Sequence, residues 1–250
     1  MLNVVQQTQN GRPKLLVVHG LYGSARNWGI ISKRLSDIRD VSAVDMRNHG
    51  YSPWFDSHTY HDMGDDLAEV VSKMGGPVDV IGHSMGGKAA MMLALTRPEM
   101  VNKLIVADIA PVAYSHNPVE NILAMRRVDL TKIERRADAL EQLTGLDQGL
   151  AEFFLQSLDM KEKRWRLNLD ILEKHMSDIV GWPNPDGTFM GETFFLSGAL
   201  SNYVEPNHKM IIKDLFPKAR FARLNGAGHW LHAEKPREFE AAVRAFLQMS

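Results

Sequence analysis

The chain contains no cysteine. Disulfides, a thiolate nucleophile and cysteine-ligated zinc are therefore excluded, and the absence fits a reducing compartment. Neither sign of charge is in excess: 29 Lys and Arg stand against 30 Asp and Glu. That balance argues against nucleic acid or a membrane surface as partner. The first ten residues, MLNVVQQTQN, lack a basic segment followed by a long apolar one, so no secretory signal is expected. No apolar run approaches the length that spans a bilayer, and no internal repeat or low-complexity tract is present. These absences together lead to the expectation of a soluble cytoplasmic protein.

What is present is an ordinary globular composition, 250 residues with 44% apolar, enough for one large core and a small appended lobe. Short β-branched runs at 14–18, 41–44, 78–81 and 103–107 alternate with helical patterns. In the first helix Ser24 can serve as cap, with Trp28, Ile31 and Leu35 on one face. In the second, Met63, Leu67, Val70, Val71 and Met74 share a face that ends at Gly75-Gly76-Pro77. Near-continuous apolar strands separated by helices predict a mostly parallel sheet covered on both faces, an α/β fold. From about 111 to 181 the alternation stops. Helix-like segments at 122–127, 132–143, 150–158 and 164–176 follow one another with no convincing strand. Strands resume at 194–196 and 219–224, and Pro236 opens a last helix. The expected organisation is a core of 1–110 and 188–250, with 111–187 inserted as a helical lid over the carboxyl ends of the strands, where open α/β sheets bind ligands.

Gly82-His83-Ser84-Met85-Gly86 matches G-x-S-x-G between a buried strand and a helix. That turn presents a serine at the sheet edge, and its glycines let strand and helix approach closely. A serine hydroxyl needs a base to become a nucleophile. Of ten histidines, His229 in Gly226-Ala227-Gly228-His229-Trp230 follows the last strand in a glycine-rich loop. His232 reads as a structural partner at the entry of the last helix, His19 as a loop pin, and His58 and His61 as surface or helix-start residues. The pairs His58/His61 and His229/His232 have no carboxylate motif that would complete a metal site. An oxyanion needs preorganised N–H donors. Met85, directly after the nucleophile, and Leu21, in the turn after the first strand, are positioned to supply them.

Four motifs carry a resemblance: Asp45-Met46-Arg47-Asn48-His49-Gly50, Gly82-His83-Ser84-Met85-Gly86-Gly87-Lys88, Asp108-Ile109-Ala110-Pro111 and the loop around His229. Over nearly its full length the chain resembles the α/β-hydrolase superfamily, and within it the YbfF-type bacterial esterases related to the abhydrolase-domain-11 group. The resemblance implies hydrolysis of carboxylic esters, acyl-CoA thioesters included, without a cofactor. It also raises the question of the acid. In much of the superfamily an aspartate follows the penultimate strand as G-x-x-D, but here that frame reads Gly198-Ala199-Leu200-Ser201. Glu205 is the nearest acid and is expected in a helix. Asp108, at the end of the strand after the nucleophile strand, is the better placed, and the resemblance points the same way; its competing reading is a loop-bracing carboxylate. Asp45 precedes the nucleophile and reads as a brace for its loop together with Arg47.

Tyr22, Phe153, Trp165 and Trp182 are candidates to line an acyl pocket, with Leu21, Phe154 and Leu155 beside them, against the reading that such aromatics pack the lid onto the body. The stretch 161–166, Lys-Glu-Lys-Arg-Trp-Arg, reads as a solvated helix face rather than a site for a phosphorylated carrier, and Lys88 reads as structural. Ser84 argues against a dehalogenase or epoxide hydrolase, which need an aspartate nucleophile. A carbon–carbon bond hydrolase and a non-catalytic ligand-binding protein remain as alternatives to an esterase acting on a small-molecule ester or thioester.

Overall fold

The computed structural model describes every residue except Thr8, Asn117 and Ser250. Among the described residues the strands are β1 (Val4–Gln6), β2 (Lys14–Val18), β3 (Asp40–Val44), β4 (Val78–His83), β5 (Val101–Ala107), β6 (Leu158–Asp159), β7 (Arg164–Trp165), β8 (Glu192–Gly198) and β9 (Ala219–Leu224). Seven of them form one sheet in the order β1-β3-β2-β4-β5-β8-β9, while β6 and β7 pair as a separate ribbon. Within the sheet only β1 is antiparallel to its neighbour.

Side chains alternate across a strand, and both faces of this sheet are filled. Leu16, Val18, Val80, Leu104, Val106 and Phe195 pack into one apolar cluster. Leu15, Val17, Ile81, Ile105, Phe194 and Leu196 pack into the other. The first cluster is closed by the helices Tyr60–Met74 and Met85–Thr96, through residues such as Met63, Leu67, Met91 and Leu93. The second is closed by Gly29–Leu35 and Pro236–Gln248, through Ile31, Leu35, Phe239 and Val243. Continuous burial on both faces explains why these strands lack an apolar–polar alternation.

The register aligns the carboxyl ends of the central strands. His83 sits opposite Ala107, and Ala107 opposite Leu196. The ladder runs one step further, with Ser84 N donating to Ala107 O at 3.0 Å and Asp108 N to Leu196 O at 2.9 Å. Three chain segments far apart in sequence therefore leave the sheet side by side.

The segment between β5 and β8 carries the helices Val119–Arg127, Arg136–Gln142, Gln148–Leu155, Leu169–Lys174 and Met176–Val180. It is tied to the sheet's carboxyl edge by long-range hydrogen bonds. Ser157 Oγ donates to Tyr22 O (3.0 Å), Tyr60 Oη to Ile179 O (2.6 Å), and Lys88 Nζ to the carbonyls of Val180 (3.1 Å) and Gly181 (2.6 Å).

The structure corrects several sequence readings. Residues 164–176 are not one helix, and the segment is not free of strand. The Asp159 carboxylate accepts the amides of Lys161 (3.0 Å) and Glu162 (3.1 Å), Lys163 has φ of 50°, and the chain turns back as the β6–β7 ribbon. The basic stretch 161–166 therefore lies on a turn and strand, not a helix face. His58 is not at the surface: it is fully buried, accepting from Asn48 Nδ2 (3.3 Å) and facing Met85 Sδ (3.3 Å). Glu205 is exposed ahead of the helix His208–Leu215 rather than inside it.

Candidate active site

β4 leads straight into Ser84, whose φ of 53° and ψ of −124° put it in a conformation that few non-glycine residues hold. The turn needs its two glycines because backbone fills the space beside them. A Cβ on Gly82 would lie 2.3 Å from the Gly86 carbonyl oxygen, and one on Gly86 2.3 Å from that of His19 and 2.6 Å from that of Val18. Neither contact involves a side chain that could rotate away. Gly86→Ala is expected to cost about 2–3 kcal/mol and lower Tm by roughly 6–10 °C. Thermal unfolding followed by circular dichroism checks this, and an unchanged Tm would show that the turn can open.

Ser84 Oγ donates to His229 Nε2 at 3.0 Å, and His229 Nδ1 donates to Asp108 Oδ2 at 2.7 Å. The carboxylate sets the tautomer: the proton is on Nδ1, so Nε2 offers its lone pair to the serine. Asp108 is fully buried, with φ of 52°. Its Oδ1 accepts the Gly198 amide at 2.9 Å, and its Oδ2 also accepts Ser201 Oγ at 2.5 Å. The serine that stands where an acid was expected thus donates to the Asp108 carboxylate. Gly198 also permits the histidine loop to approach, since a Cβ there would lie 2.2 Å from the Gly228 carbonyl oxygen.

The histidine loop is braced from two sides. Glu234 accepts the amides of Gly228 (2.7 Å) and Trp230 (3.2 Å), and His83 Nε2 donates to the His229 carbonyl at 2.8 Å. His83 fills the first of the two x positions of the serine motif, and burial holds its pKa well below the ordinary histidine value, so it is a neutral donor. His232 stacks on Trp28 with ring centroids 4.2 Å apart, and burial first, with the neighbouring His229 as the lesser cause, pulls its pKa down to about 3.

The remaining acids lie elsewhere. Asp45 accepts the Ala25 amide (2.7 Å), Asn3 Nδ2 (2.8 Å) and the Tyr51 amide (2.9 Å), which makes it a brace for two loops. Arg47 pairs with Asp66 at 2.6 Å rather than with Asp45.

In the turn after β2, the Tyr22 amide is taken by His49 Nε2 (3.2 Å) and the Gly23 amide by the Gly20 carbonyl (3.0 Å), which leaves the Leu21 amide for a ligand. The Met85 amide opens the helix Met85–Thr96, where first-turn N–H groups have no intrahelical partner. Both belong to the rim of a cavity of about 430 Å³ that also meets Ser84 and His229.

Of the four aromatics proposed for the pocket, Tyr22 and Phe153 line this cavity. Trp165 and Trp182 do not. Trp165 is buried within the inserted segment, its Nε1 donating to Met125 O at 3.0 Å, and Trp182 packs near Tyr60 with ring centroids 6.2 Å apart. Both follow the packing reading, because a large ring is buried by any apolar surroundings and its burial does not say which cavity it faces. Trp230, next to the histidine and 5.4 Å from the Phe153 ring, lines the cavity although the sequence singled it out only as part of a motif. Lys88 also reaches the cavity. Its ammonium is pulled down to about 7 by burial, with two backbone carbonyls and the Tyr114 ring, 4.7 Å away, for company. Among the described residues no group of three or more His, Asp or Glu is arranged to hold a metal, and no helix is long and apolar enough to cross a membrane.

Residues 15–242 match the model of the Alpha/beta hydrolase family. The chain is 38% identical to the sn-1-specific diacylglycerol lipase ABHD11 of Mus musculus over 94% of this chain and 81% of that protein. It is 34% identical to Esterase YbfF of Escherichia coli (strain K12) over 98% of both. Among solved structures, one described as a marine microorganism esterase superposes with a TM-score of 0.93 at 37% identity, covering 98% of each chain. With a profile match across nearly the whole chain and relatives at this identity, the chain belongs to the alpha/beta hydrolase family.

Proposed function

We propose that this chain is a serine esterase that hydrolyses carboxylic esters through an acyl-enzyme, with Ser84 as nucleophile, His229 as base and Asp108 as the acid that orients it. The observation that carries the reading is the hydrogen-bonded chain Ser84–His229–Asp108 at 3.0 and 2.7 Å, opening on a largely apolar cavity beside two uncommitted amides. The esterase and lipase names of its relatives support the same class of reaction.

In this mechanism Ser84 Oγ attacks the ester carbonyl carbon as His229 Nε2 takes its proton. The carbonyl oxygen becomes an oxyanion and receives the N–H groups of Leu21 and Met85, which need no reorganisation to meet it. Asp108 stabilises the imidazolium from the far side. The bond to the leaving alkoxide then breaks, and His229 hands that oxygen the proton. Water repeats the sequence on the acyl-Ser84 ester, with His229 again as base, and the carboxylic acid leaves. Every group used is a side chain or amide of this chain, so the reaction needs no cofactor.

The segment 111–187 acts as a cap, contributing Phe153 and its neighbours to the cavity wall. A cavity of this size and lining suits short to medium acyl chains, on an alcohol or a thiol leaving group. A fluorophosphonate probe is expected to modify Ser84 in the folded protein, located by peptide mass spectrometry. A panel of p-nitrophenyl esters and acyl-CoAs of graded length then reads acyl length and ester against thioester preference. Failure to label Ser84 would favour a ligand-binding protein. Labelling with every ester and thioester left intact would favour a carbon–carbon bond hydrolase.

A further inference from the structure

The loop that lacks the expected acid is built around the histidine as well as around Asp108. Tyr203 lies two residues after Ser201, and its ring is stacked on that of His229, with centroids 4.0 Å apart and planes at 21°. Its place is fixed at three points. Its amide donates to Ser201 Oγ (3.3 Å), its carbonyl accepts Tyr114 Oη (2.7 Å), and its own hydroxyl meets His116 Nε2 (2.9 Å). Tyr114 is itself held by the Ala110 amide at 2.9 Å, two residues past Asp108. Ring and acid are thus tied to one scaffold, and the ring has little freedom to leave the imidazole face.

From this geometry we infer that Tyr203 is a positioning residue for the esterase reaction, its ring face holding His229 in plane with Asp108 and Ser84 and stabilising the imidazolium that forms in both half-reactions. The inference rests on the esterase reading of the site. Its physical basis is the negative face of an aromatic ring, which attracts a cation lying over it, more strongly where water is excluded. The stack is made in the ground state, but the attraction grows when His229 becomes charged, and only such differential stabilisation speeds the chemical step. The same turn holds the acid, since Ser201 Oγ donates to Asp108 Oδ2 and the Gly198 amide to Oδ1. A segment that in other members would carry the carboxylate here holds both residues of the charge pair.

The other groups facing His229 are Asp108, Ser84, Trp230, His83, His232 and, across the pocket, His116. Burial lowers the pKa of all three of these histidines, so Asp108 is the charged partner. Tyr203 is the neighbour whose ring lies flattest on the imidazole.

Two variants separate ring from bulk. Tyr203→Leu keeps an apolar side chain over the imidazole but removes the ring face, while Tyr203→Phe keeps the face and removes only the contact with His116. For p-nitrophenyl butyrate, Tyr203→Leu is expected to lower kcat about 10-fold with KM nearly unchanged, and to move the acid limb of kcat/KM about half a pH unit lower. The limb moves down because loss of the ring disfavours the protonated histidine. Tyr203→Phe is expected to stay within about threefold of the parent, with its limb in place. The His229 pKa, followed by nitrogen-15 NMR of labelled imidazoles, is expected to fall in Tyr203→Leu by the same amount and needs no substrate. A Leu variant with parental kcat and pKa would overturn the inference. So would a Phe variant as slow as the Leu one, which would assign the effect to the hydroxyl. If the parent hydrolyses no ester, the esterase reading fails on that result alone, and the NMR titration still decides whether the ring governs His229.

Discussion

Asp108→Asn is expected to lower kcat for p-nitrophenyl butyrate by about 10⁴-fold with little change in KM, by the logic of a triad aspartate. The substitution is close to isosteric, and asparagine tolerates the positive φ of 52° found here, so the fold has no reason to yield. The chemistry does change, and the hydrogen bonds say how. Oδ1 accepts the Gly198 amide at 2.9 Å, so the carbonyl oxygen of the asparagine must stay there. The NH₂ group is then forced into the place of Oδ2, facing His229 Nδ1 at 2.7 Å and Ser201 Oγ at 2.5 Å. A donor now meets Nδ1, the imidazole adopts the other tautomer, and Nε2 carries a proton where it must accept one. The imidazolium formed during attack also loses its counter-charge. Glu205→Gln is expected to stay within about twofold of the parent, because Glu205 is exposed and its backbone amide, not its carboxylate, makes the local contact with His208. Near-native turnover in Asp108→Asn together with loss in Glu205→Gln would reverse the assignment. An unchanged Tm in Asp108→Asn separates the catalytic effect from unfolding.

Acid should destabilise this protein before its carboxylates titrate. Five histidines, His19, His49, His58, His83 and His232, are buried at 7% exposure or less. Burial lowers the pKa of each, to about 3 for His58 and His232 and in direction for the other three, with Asp45 partly opposing the shift at His19. The native state therefore holds them neutral, while the unfolded chain takes up protons near the ordinary value of about 6.5. Their contribution is complete above that value and is lost as pH falls from about 6.5 toward 3, where the folded His58 and His232 at last accept protons. Between pH 7.5 and 5.5 each fully suppressed histidine costs about 1.4 kcal/mol, so His58 and His232 together remove roughly 3 kcal/mol, and the other three act in the same direction. Urea unfolding at pH 7.5, 6.5 and 5.5 reads this directly. A loss below about 1 kcal/mol would mean that these rings take up protons in the folded state. The consequence reaches the candidate site, because His49 accepts the Tyr22 amide in the turn after β2 and His58 lies against Met85.

Why so much of the site was legible, and some of it not, follows from the range of the forces involved. Ser84 was readable because strand, strained turn and helix are consecutive, and the collisions that require Gly82 and Gly86 occur between neighbouring backbone segments. His229 was readable because a glycine loop directly after the last strand has few places to go. Asp108 needed the frame Gly198–Ser201 to fail first. The role of Ser201 as donor to Asp108 spans 93 residues and could be expected only as a hydrogen bond somewhere near the triad. The pocket was the least legible. Phe153 and Trp165 lie 12 residues apart in one inserted segment, and both are large apolar rings. Only the ribbon reversal at Asp159 and Lys163 turns Trp165 away from the cavity. His58 and β1 were missed for the same reason: a lone polar side chain or three exposed strand residues carry no period of their own.

By itself, then, the order of residues determined the α/β architecture, the strained turn at Ser84 and the glycine loop of His229, because each is written in contacts a few residues long. Apolar runs choose strand or helix locally, and a glycine is needed wherever backbone meets backbone. Tertiary structure alone decided what covers the His229 ring and which aromatics line the cavity, and it brought Asp108, which the sequence already favoured, against His229. Those outcomes depend on where the ends of β4, β5, β8 and β9 fall beside one another. The parallel register sets them level, and no single segment encodes it.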